Sequence, residues 1–243
     1  KSNLVYFFCL SLFGIFIMEQ FSYINEEFYA SQVSPEQTDL LLAEGWRHFG
    51  EHFYRYNLGY FKYDIRTVYA LRVNLEKFSF SKNQRRVLKK NQDLQIVIRP
   101  IEVTREKEEL FERHKQRFDY GIPDSLYDFL SDEPAGVPCE ALEVCVYRER
   151  ELLAASFFDV GKKTISSVYG MFAPEETSRS LGILTMLLEI KFAYENEKKF
   201  YYHGYAYEGN SFYDYKKRFR GLESYNWQNR WEDFKEFEPE PPA

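Results

Sequence analysis

The segment that decides the fold reads LLAASFFDV at residues 152–160, TISSVYGMF at residues 164–172 and LGILTMLLEIKFAY at residues 181–194. The first two stretches are apolar and are separated by a short turn that contains Gly161, a pattern that predicts neighbouring antiparallel strands. Glu140–Tyr147 predicts a third strand of the same meander. The last stretch is apolar almost all round, which predicts a helix buried against this sheet.

Further elements are predicted on both sides of this core. Apolar periodicity indicates the strands, and Ser or Thr residues ahead of periodic stretches indicate helix caps. These elements are a strand within Ser22–Tyr29, helices at Pro35–Ala43 and Ser81–Asn91, a helix from Thr104 to Gly121, a short helix at Ser125–Leu130, and strands at Val68–Leu75, Leu94–Arg99 and Lys199–Ala206.

The chain divides into four predicted segments. Residues 1–18 are an apolar stretch, shorter than the roughly 20 apolar residues of a spanning helix, and we expect an apolar leader or an over-extended start ahead of Met18. A buried first helix is the remaining alternative. Residues 19–131 and 139–231 form two halves joined by a Pro- and Gly-containing loop, and residues 232–243 are an acidic tail that we expect to be frayed.

Composition and charge exclude several classes of protein. Apolar residues make up 44% and charged residues 29% of the 243 residues, so the chain is not collagen-like, disordered or a polytopic membrane protein. The net charge of −6 excludes uniform attraction to nucleic acid, so such a contact requires a local basic patch. The three cysteines lack CxxC spacing, which argues against a disulfide framework and indicates a reducing compartment.

Such a basic patch is present in the segment SKNQRRVLKKN at residues 81–91, which contains no acidic residue. Its cations recur at helical spacing, so they share one helix face, while Val87 and Leu88 are expected to face the protein. An ordinary solvated helix mixes charges of both signs, so like charges on one face favour phosphate binding over a merely soluble surface. The cations are Lys82, Arg85, Arg86, Lys89 and Lys90.

Two other sets of ionisable residues bear on the chemistry. Glu189 interrupts the predicted buried helix, and a buried carboxylate requires a partner, so Glu189 is either a hydrogen-bonding anchor or part of a reactive site. The four histidines have no triad or zinc spacing, so we expect no metal site. Of His48, His52, His114 and His203, only His203 lies in a strand that is a candidate to border a site.

Four stretches carry a resemblance to a known family. In this order they resemble the aminoacyl-tRNA–protein transferases of the N-degron pathway, which comprise arginyltransferases and bacterial leucyltransferases. The resemblance extends over about residues 21–223 and implies an α+β, GNAT-like (acyl-CoA N-acyltransferase) fold with two halves that share sheet contacts. The stretches are SKNQRRVLKKNQDL at 81–94, SVYGMFAPE at 167–175, SLGILTMLLEI at 180–190 and YYHGYAYEGNSFYDYKKRFR at 201–220.

The chain departs from this family in its cysteines. The resemblance implies cysteines in the first motif and ahead of the basic block, a set linked to Fe–S or metal binding. Here those regions read Phe21-Ser22-Tyr23 and Ile65-Arg66-Thr67-Val68-Tyr69, and no cysteine lies between Cys9 and Cys139. We therefore expect no Fe–S cluster and no other cofactor, with aminoacyl-tRNA as the co-substrate.

The resemblance also implies a reaction, which is transfer of an aminoacyl group, Arg or Leu, from charged tRNA to the N-terminal amine of a protein marked for degradation. Because the ester is already activated and an α-amine titrates near pH 8, positioning and one modest base are sufficient. The implied partners are charged tRNA and protein N-termini, with no stable membrane partner, and the implied form is a cytoplasmic monomer. The resemblance also implies roles for individual residues. The basic face at 82–90 would bind tRNA phosphates, and Ser167 and Tyr169 would contact the aminoacyl end. Glu189 or Tyr202 would orient or deprotonate the amine, and Lys216 and Arg218 would bind an acidic side chain or the tRNA terminus.

Two alternatives remain open from the residues. The first is an acetyl-CoA-dependent N-acyltransferase, since the fold is shared. The loop before the buried helix reads Ser178-Arg179-Ser180-Leu181-Gly182-Ile183, however, and its single glycine is fewer than the pyrophosphate loops of that class contain. The second is a non-catalytic relic that binds tRNA or a degron, for which the missing cysteines are the argument.

Overall fold

The computed structural model describes residues 22–119 and 121–235, so the expectation for residues 1–18 lies outside the described part. The strands are β1 (Asn25–Tyr29), β2 (Arg47–Phe49), β3 (His52–Tyr56), β4 (Leu58–Phe61), β5 (Asp64–Asn74), β6 (Gln95–Pro100), β7 (Ala141–Arg148), β8 (Glu151–Val160), β9 (Thr164–Phe172), β10 (Phe200–Tyr207), β11 (Leu222–Tyr225) and β12 (Trp231–Asp233). The α-helices are α1 (Pro35–Ala43), α2 (Lys82–Lys90), α3 (Arg105–Lys115) and α4 (Leu181–Glu195).

The helices begin where the sequence predicts, for local reasons. Ser34 and Ser81 each form a capping box, in which the hydroxyl accepts from the backbone of the third helical residue, and the side chain of that residue accepts from the backbone of the serine. Thr104 precedes α3, which ends at Lys115 rather than at the predicted Gly121. The meander of β7, β8 and β9 and the buried helix α4 are confirmed.

The main sheet has nine strands in the order β12-β11-β5-β10-β9-β8-β7-β6, with β4 paired to β5. Three strands of the predicted N-terminal half therefore belong to this sheet: β5 lies between β10 and β11, β4 pairs with β5, and β6 forms the far edge. The loop at 132–138 does not divide the sheet, although a separate three-stranded sheet, β1-β3-β2, forms from the N-terminal half. Strand β12 extends the sheet into the segment predicted as a tail.

Helices cover both faces of the main sheet. On one face α4 contributes Leu184 and Leu187 to a core that also contains Phe158 of β8. On the other face α3 contributes Leu110 and Phe111 to a second core. The sequence therefore gives the predicted α+β, GNAT-like arrangement of a meander, a buried helix and a returning strand.

The returning strand positions the candidate site. Strand β10 runs parallel to β9 for only three pairs, from Thr164 opposite Phe200 to Ser166 opposite Tyr202. Beyond these pairs β10 has a bulge at His203 and Gly204 and, of the described strands, pairs only with β5. The two strands thus separate at their C-terminal ends, and we call the opening the crevice.

No helix in the part of the chain that the structure describes combines the length and the apolar composition needed to cross a bilayer.

Candidate active site

The exposure of β9 changes where the crevice begins. Thr164, Ile165 and Ser166 are buried, whereas Ser167 to Tyr169 are partly exposed and Gly170 is exposed, although β9 lies in the middle of the sheet. Within the described ranges, the edge of β9 that faces away from β8 has no strand partner after Ser166. The Ser167 carbonyl oxygen accepts from Arg47 and the Phe172 backbone contacts His114, so the backbone groups between these two positions are the ones available to a substrate.

Arg47 reaches the start of the crevice from β2. Its guanidinium donates to the Ser166 hydroxyl at 3.0 Å and to the Ser167 carbonyl oxygen, and the residue is only 8% exposed. Arg47 forms no ion pair with a carboxylate within the described ranges. No local sequence pattern points to Arg47, because Arg47 and Ser166 are 119 positions apart and in different predicted halves.

Lys216, for which the resemblance implies a substrate contact, is the second cation of the crevice. It lies in the 3-10 turn Asp214–Lys217, and its ammonium donates to the Tyr205 carbonyl oxygen at 3.3 Å. Burial, together with repulsion from Arg47, lowers the pKa of Lys216 to about 7. A carboxylate bound here would relieve this repulsion.

Gly204 separates these two cations. Its backbone has a φ of +92°, and a Cβ at this position would lie 3.0 Å from the Lys216 ammonium nitrogen and 3.8 Å from an Arg47 nitrogen. Both cationic groups therefore face the same point of the bulge in β10. A side chain here would be strained and would displace Lys216.

Glu189 projects from α4 towards the other face of the separating strands and is completely buried. Its Oε2 accepts a hydrogen bond from the Tyr201 hydroxyl at 2.7 Å, whereas Oε1 has no hydrogen-bond partner among the residues that the structure describes. Burial raises the pKa of Glu189 to about 7, against the opposing effect of the neighbouring Ser156, Tyr201 and Ser167 hydroxyls. Glu189 can therefore gain or lose a proton near neutral pH, as a general base requires.

Other buried polar atoms around the crevice also lack a hydrogen-bond partner within residues 22–119 and 121–235. These are the Ser156 hydroxyl, the Tyr169 hydroxyl and Nδ1 of His203. Nε2 of His203 lies 2.8 Å from the Lys216 carbonyl oxygen, and burial lowers the pKa of His203 to about 3, so the ring is neutral. Unpaired buried polar atoms are rare in proteins, and their concentration at one opening is typical of a substrate site.

The structure does not bring all predicted site residues together. Tyr202 accepts a hydrogen bond from Arg72 at 3.1 Å and packs on Trp231, so it lies away from Glu189, whose phenolic partner is Tyr201. Arg218 is exposed and is the C-terminal cap of the same turn, two residues after Lys216. The roles of Tyr202 and Arg218 stay predictions, while Ser167, Tyr169, Glu189 and Lys216 do border the crevice.

The predicted basic face is formed by α2, which packs along α4. Val87 and Leu88 contact the core, as expected, and the five cations are exposed. None of the five pairs with a carboxylate in the part of the chain that is described. Lys90 donates to the Ser178 carbonyl oxygen, so the C-terminal end of α2 lies beside the loop that connects β9 to α4, near the opening of the crevice.

A cluster of His48, Cys139 and Asp159 is also buried, although no spacing in the sequence indicates it. The three possible ligand atoms lie within 4.8 Å of one another, so this group can hold a divalent cation. Its polar atoms are already paired: the two ring nitrogens of His48 lie 2.8 Å from the Gly50 carbonyl oxygen and 2.9 Å from Asp159. Burial opposes the charged ring, but Asp159 outweighs it and raises the pKa of His48.

The regions where the family carries cysteines are joined by an amide side chain instead. Asn57 is 3% exposed, accepts from the Ile24 backbone at 2.9 Å and donates to the Ser22 carbonyl oxygen at 2.6 Å. Its own carbonyl oxygen accepts from the Val68 backbone at 2.9 Å. Hydrogen bonds thus hold together the segments that the resemblance assigns to a cluster.

Comparison with known proteins identifies the family. A family model described as arginine-tRNA-protein transferase, N terminus, matches residues 18–86, and the corresponding C-terminus model matches residues 106–226. An aspartate/glutamate leucyltransferase of Helicobacter hepaticus is 28% identical over 204 residues, which are 81% of this chain and 82% of that protein. One of Leptospira interrogans is 27% identical over 234 residues, 89% of this chain and 90% of that protein.

Among solved structures, L-PGS from Bacillus licheniformis is similar at a TM-score of 0.42 and 17% identity, covering 76% of this chain and 55% of that chain. FemX is similar at a TM-score of 0.47 and 12% identity, covering 74% of this chain and 64% of that chain. The family models and the curated relatives, taken with the crevice, give one conclusion. The chain belongs to the aminoacyl-tRNA–protein transferases, enzymes that transfer an aminoacyl group from charged tRNA to the N-terminal amine of a protein.

Proposed function

We propose that this enzyme transfers a leucyl group from charged tRNA to proteins that begin with Asp or Glu. The curated relatives carry the name aspartate/glutamate leucyltransferase. The observation that carries the choice of acceptor is the pair of cations, Arg47 and Lys216, that face Gly204 without a carboxylate partner among the described residues. An acidic acceptor side chain would supply that partner.

The same cations support leucyl over arginyl as the donated group. An arginyl side chain in the crevice would bring a third positive charge beside Arg47 and Lys216. The pKa of Lys216, about 7, already reflects repulsion from Arg47 in addition to burial. The aromatic rings near the crevice, with Tyr54 and Tyr56 packed on Tyr205, provide apolar surface for a leucyl side chain instead.

The chemistry needs one proton acceptor. The amine nitrogen attacks the ester carbonyl carbon, a C–N bond forms, the C–O bond to the ribose breaks, and the ribose oxygen leaves with a proton. Glu189, acting with the Tyr201 hydroxyl, takes the proton that the ammonium form must lose, since its pKa lies near that of an α-amine. The unpaired edge of β9 from Ser167 onward supplies donors for the developing oxyanion.

The loop before α4 is a poor site for the pyrophosphate of acetyl-CoA. Its glycine, Gly182, lies against Phe172, 3.0 Å from where a Cβ would stand, so the glycine serves helix packing. Glu176 in the same loop pairs with Arg148 at 2.5 Å and with Arg179 at 3.2 Å. These two arginines are therefore already paired with a carboxylate of the protein and are not free to bind a pyrophosphate.

We further propose that the enzyme acts as a cytoplasmic monomer in the N-degron pathway. It would need no metal, Fe–S cluster or other cofactor and would have no stable membrane partner. The hydrogen bonds of Asn57 support the absence of a cluster, because they tie the relevant segments directly. Undiminished transfer in the presence of a strong chelator is the expected result, and loss of transfer would contradict it.

The test is transfer of radiolabelled Leu or Arg from charged tRNA onto peptides that begin with Asp, Glu, Lys or Arg. We expect transfer of Leu onto the Asp and Glu peptides. Lys216→Met should lower kcat/KM for these peptides roughly 10- to 150-fold, the effect of one hydrogen bond to a charged group. Lys217→Met is the matched control, since Lys217 pairs with Asp214 at 3.2 Å. Transfer onto Lys and Arg peptides, or transfer of Arg alone, would contradict the proposal.

A further inference from the structure

An exposed aromatic patch lies beside the crevice at the hairpin of β4 and β5. It consists of Tyr63 and Phe212, and we call it the hairpin patch; Lys62, the neighbour of Tyr63, lies 5.5 Å from the Phe212 ring. Tyr63 is 93% exposed and Phe212 70%, whereas Tyr60 and Ile65 pair with each other on the opposite face of the hairpin from Phe61. Large apolar side chains that are exposed together mark an interaction surface.

The hairpin patch is held in a fixed position. Phe61 packs on Phe212 with ring centroids 6.0 Å apart. Arg66 lies over the Phe61 ring at 4.8 Å and donates to the Asn210 carbonyl oxygen at 2.7 Å, which ties the hairpin to the loop after β10. A surface that is already ordered loses little conformational entropy when it binds a partner.

The hairpin patch is continuous with the crevice. Phe212 is followed by Tyr213, whose ring lies 4.9 Å from the Lys216 ammonium. Phe212 and Lys216 are four residues apart, so their Cα atoms are at most about 14 Å apart, a distance that about four extended residues cover. A chain whose first side chain meets Lys216 therefore reaches the hairpin patch with its next few residues.

Charge distinguishes the hairpin patch from the basic face of α2. Around the patch, Lys62 and Arg66 are balanced by Asp64 and Glu208, whereas α2 presents five cations and no acid. A phosphate chain requires net positive charge, while aromatic residues with balanced charge are typical of protein interfaces. The two surfaces lie on different sides of one opening, as a reaction between an RNA and a protein requires.

We infer that the hairpin patch binds the segment of the acceptor protein that follows its N-terminal residue. This inference rests on the proposed function, since it takes the first acceptor residue to lie at Arg47 and Lys216. It goes further because it gives the enzyme a second contact with the acceptor, outside the crevice. Acceptors are then discriminated by length and by their downstream apolar residues, in addition to the terminal residue.

The experiment compares a two-residue acceptor that begins with Asp with a peptide of about 15 residues that begins with Asp and has apolar residues at its next positions. In the unchanged enzyme, KM should be lower for the long peptide. Tyr63→Ala and Phe212→Ala should each raise KM for the long peptide at least about fivefold, the loss expected for an interface residue that contributes to binding. They should leave kcat, KM for the short acceptor and the Kd for deacylated tRNA unchanged.

Controls separate the patch from general effects. Tyr63→Phe should retain the low KM for the long peptide, and Tyr29→Ala, which removes a 74% exposed ring on β1, should not change it. Unchanged KM for the long peptide in both alanine variants would overturn the inference. So would a fivefold loss of tRNA affinity with unchanged peptide KM, because the patch would then bind RNA.

A binding measurement keeps this inference separate from the proposed function. Fluorescence anisotropy of the labelled long peptide gives a Kd without any transfer reaction. If the unchanged enzyme fails to transfer Leu but binds the long peptide more weakly after Tyr63→Ala, the proposed function fails and the patch stands. If transfer proceeds and neither Kd nor KM responds to the variants, the patch fails and the function stands.

Discussion

Two buried clusters of charge in this enzyme differ in how completely their charges are paired. In the structural cluster, between α3, β6 and β7, Glu143 is fully buried and accepts from Lys107 at 2.7 Å and from Arg99 at 2.8 Å. Lys107 is also fully buried, and it donates in addition to the Glu102 carbonyl oxygen. Each buried charge there has an opposite charge in contact.

The crevice cluster lacks this pairing. In the described part of the chain, Arg47 and Lys216 repel each other and neither forms an ion pair with a carboxylate, and Glu189 keeps one oxygen without a hydrogen bond. Buried charges destabilise a fold unless they are paired, so the fold tolerates the crevice cluster at the expense of stability. The difference indicates that the charges of the crevice are arranged to pair with charges of a substrate, whereas those of the structural cluster pair with one another.

The largest expected effect is a loss of folding stability when the pairing in the structural cluster is broken. Glu143→Gln leaves Lys107 as an unpaired buried charge, so we expect the free energy of unfolding to fall by about 3–5 kcal/mol. Urea denaturation followed by circular dichroism measures this change. The double variant Lys107→Met with Glu143→Leu should recover most of the loss, since no buried charge then remains. A loss below about 1 kcal/mol in the single variant would show that the buried ion pairs of the structural cluster do not stabilise the fold.

The next effect is on catalysis. Glu189→Gln removes the proton acceptor, so kcat/KM at pH 8 should fall roughly 10²-fold or more. Below the pKa of Glu189, about 7, the unchanged enzyme also carries the protonated group, so the ratio of the two activities should approach one near pH 5. Tyr201→Phe, which removes only the partner hydroxyl, should give a smaller loss. A ratio independent of pH would assign Glu189 a purely structural role.

The sequence pattern predicts most elements of the fold, but only about half of the residues that border the crevice. Alternation and capping are local signals, and they place α1, α2 and the meander within a residue or two of their observed bounds. The insertion of β5 between β10 and β11 is not predictable in this way, because it pairs Val73 with Tyr201 and Leu222 across more than 120 positions. No local pattern encodes which distant strands become neighbours.

Long-range contacts also explain why some residues of the site could not be predicted from the sequence. Arg47 meets Ser166, and His48 meets Asp159, through contacts between segments more than 100 positions apart. The choice of Tyr202 over Tyr201 has a different cause. Strand β10 is aromatic on both faces, so alternation does not tell which tyrosine faces α4, and a shift of one residue moves a side chain to the opposite face. The phenol beside Glu189 belongs to Tyr201.

A smaller effect concerns the pH dependence of stability. The pKa of Glu189 is raised in the folded state, so its contribution to stability is present below the unfolded value of 4.5 and is lost as the pH rises through about 7. The pKa of Lys216 is lowered to about 7, so its contribution increases as the pH rises from 7 towards 10.5. The crevice cluster therefore destabilises the fold most near neutral pH.

Difference measurements isolate these two groups. Relative to the unchanged enzyme, Glu189→Gln should gain stability between pH 4.5 and 7, by an amount on the order of 1–3 kcal/mol. Lys216→Met should gain most near pH 7 and progressively less towards pH 10. Thermal unfolding at a series of pH values measures both. Equal stability of the three proteins at pH 7 would show that these charges are as well compensated as those of the structural cluster.

The smallest effect on the fold is expected at α2, whose cations, like those of the crevice, have no carboxylate partner in the described part of the chain but are exposed. Water solvates them, and Arg85 also donates to the Phe80 carbonyl oxygen, so the missing carboxylates do not destabilise the fold. Arg85→Ala with Arg86→Ala should change the free energy of unfolding by no more than about 0.5 kcal/mol. If each residue contacts one phosphate, the slope of log K for tRNA against log salt should decrease by about 0.7–0.9 per residue removed. Arg105→Ala on α3 is the matched control, because Arg105 is 90% exposed but pairs with Glu109 at 2.8 Å. An unchanged slope in the double variant would remove α2 from the RNA contact and leave the unpaired charges of the crevice as the only ones with a proposed function.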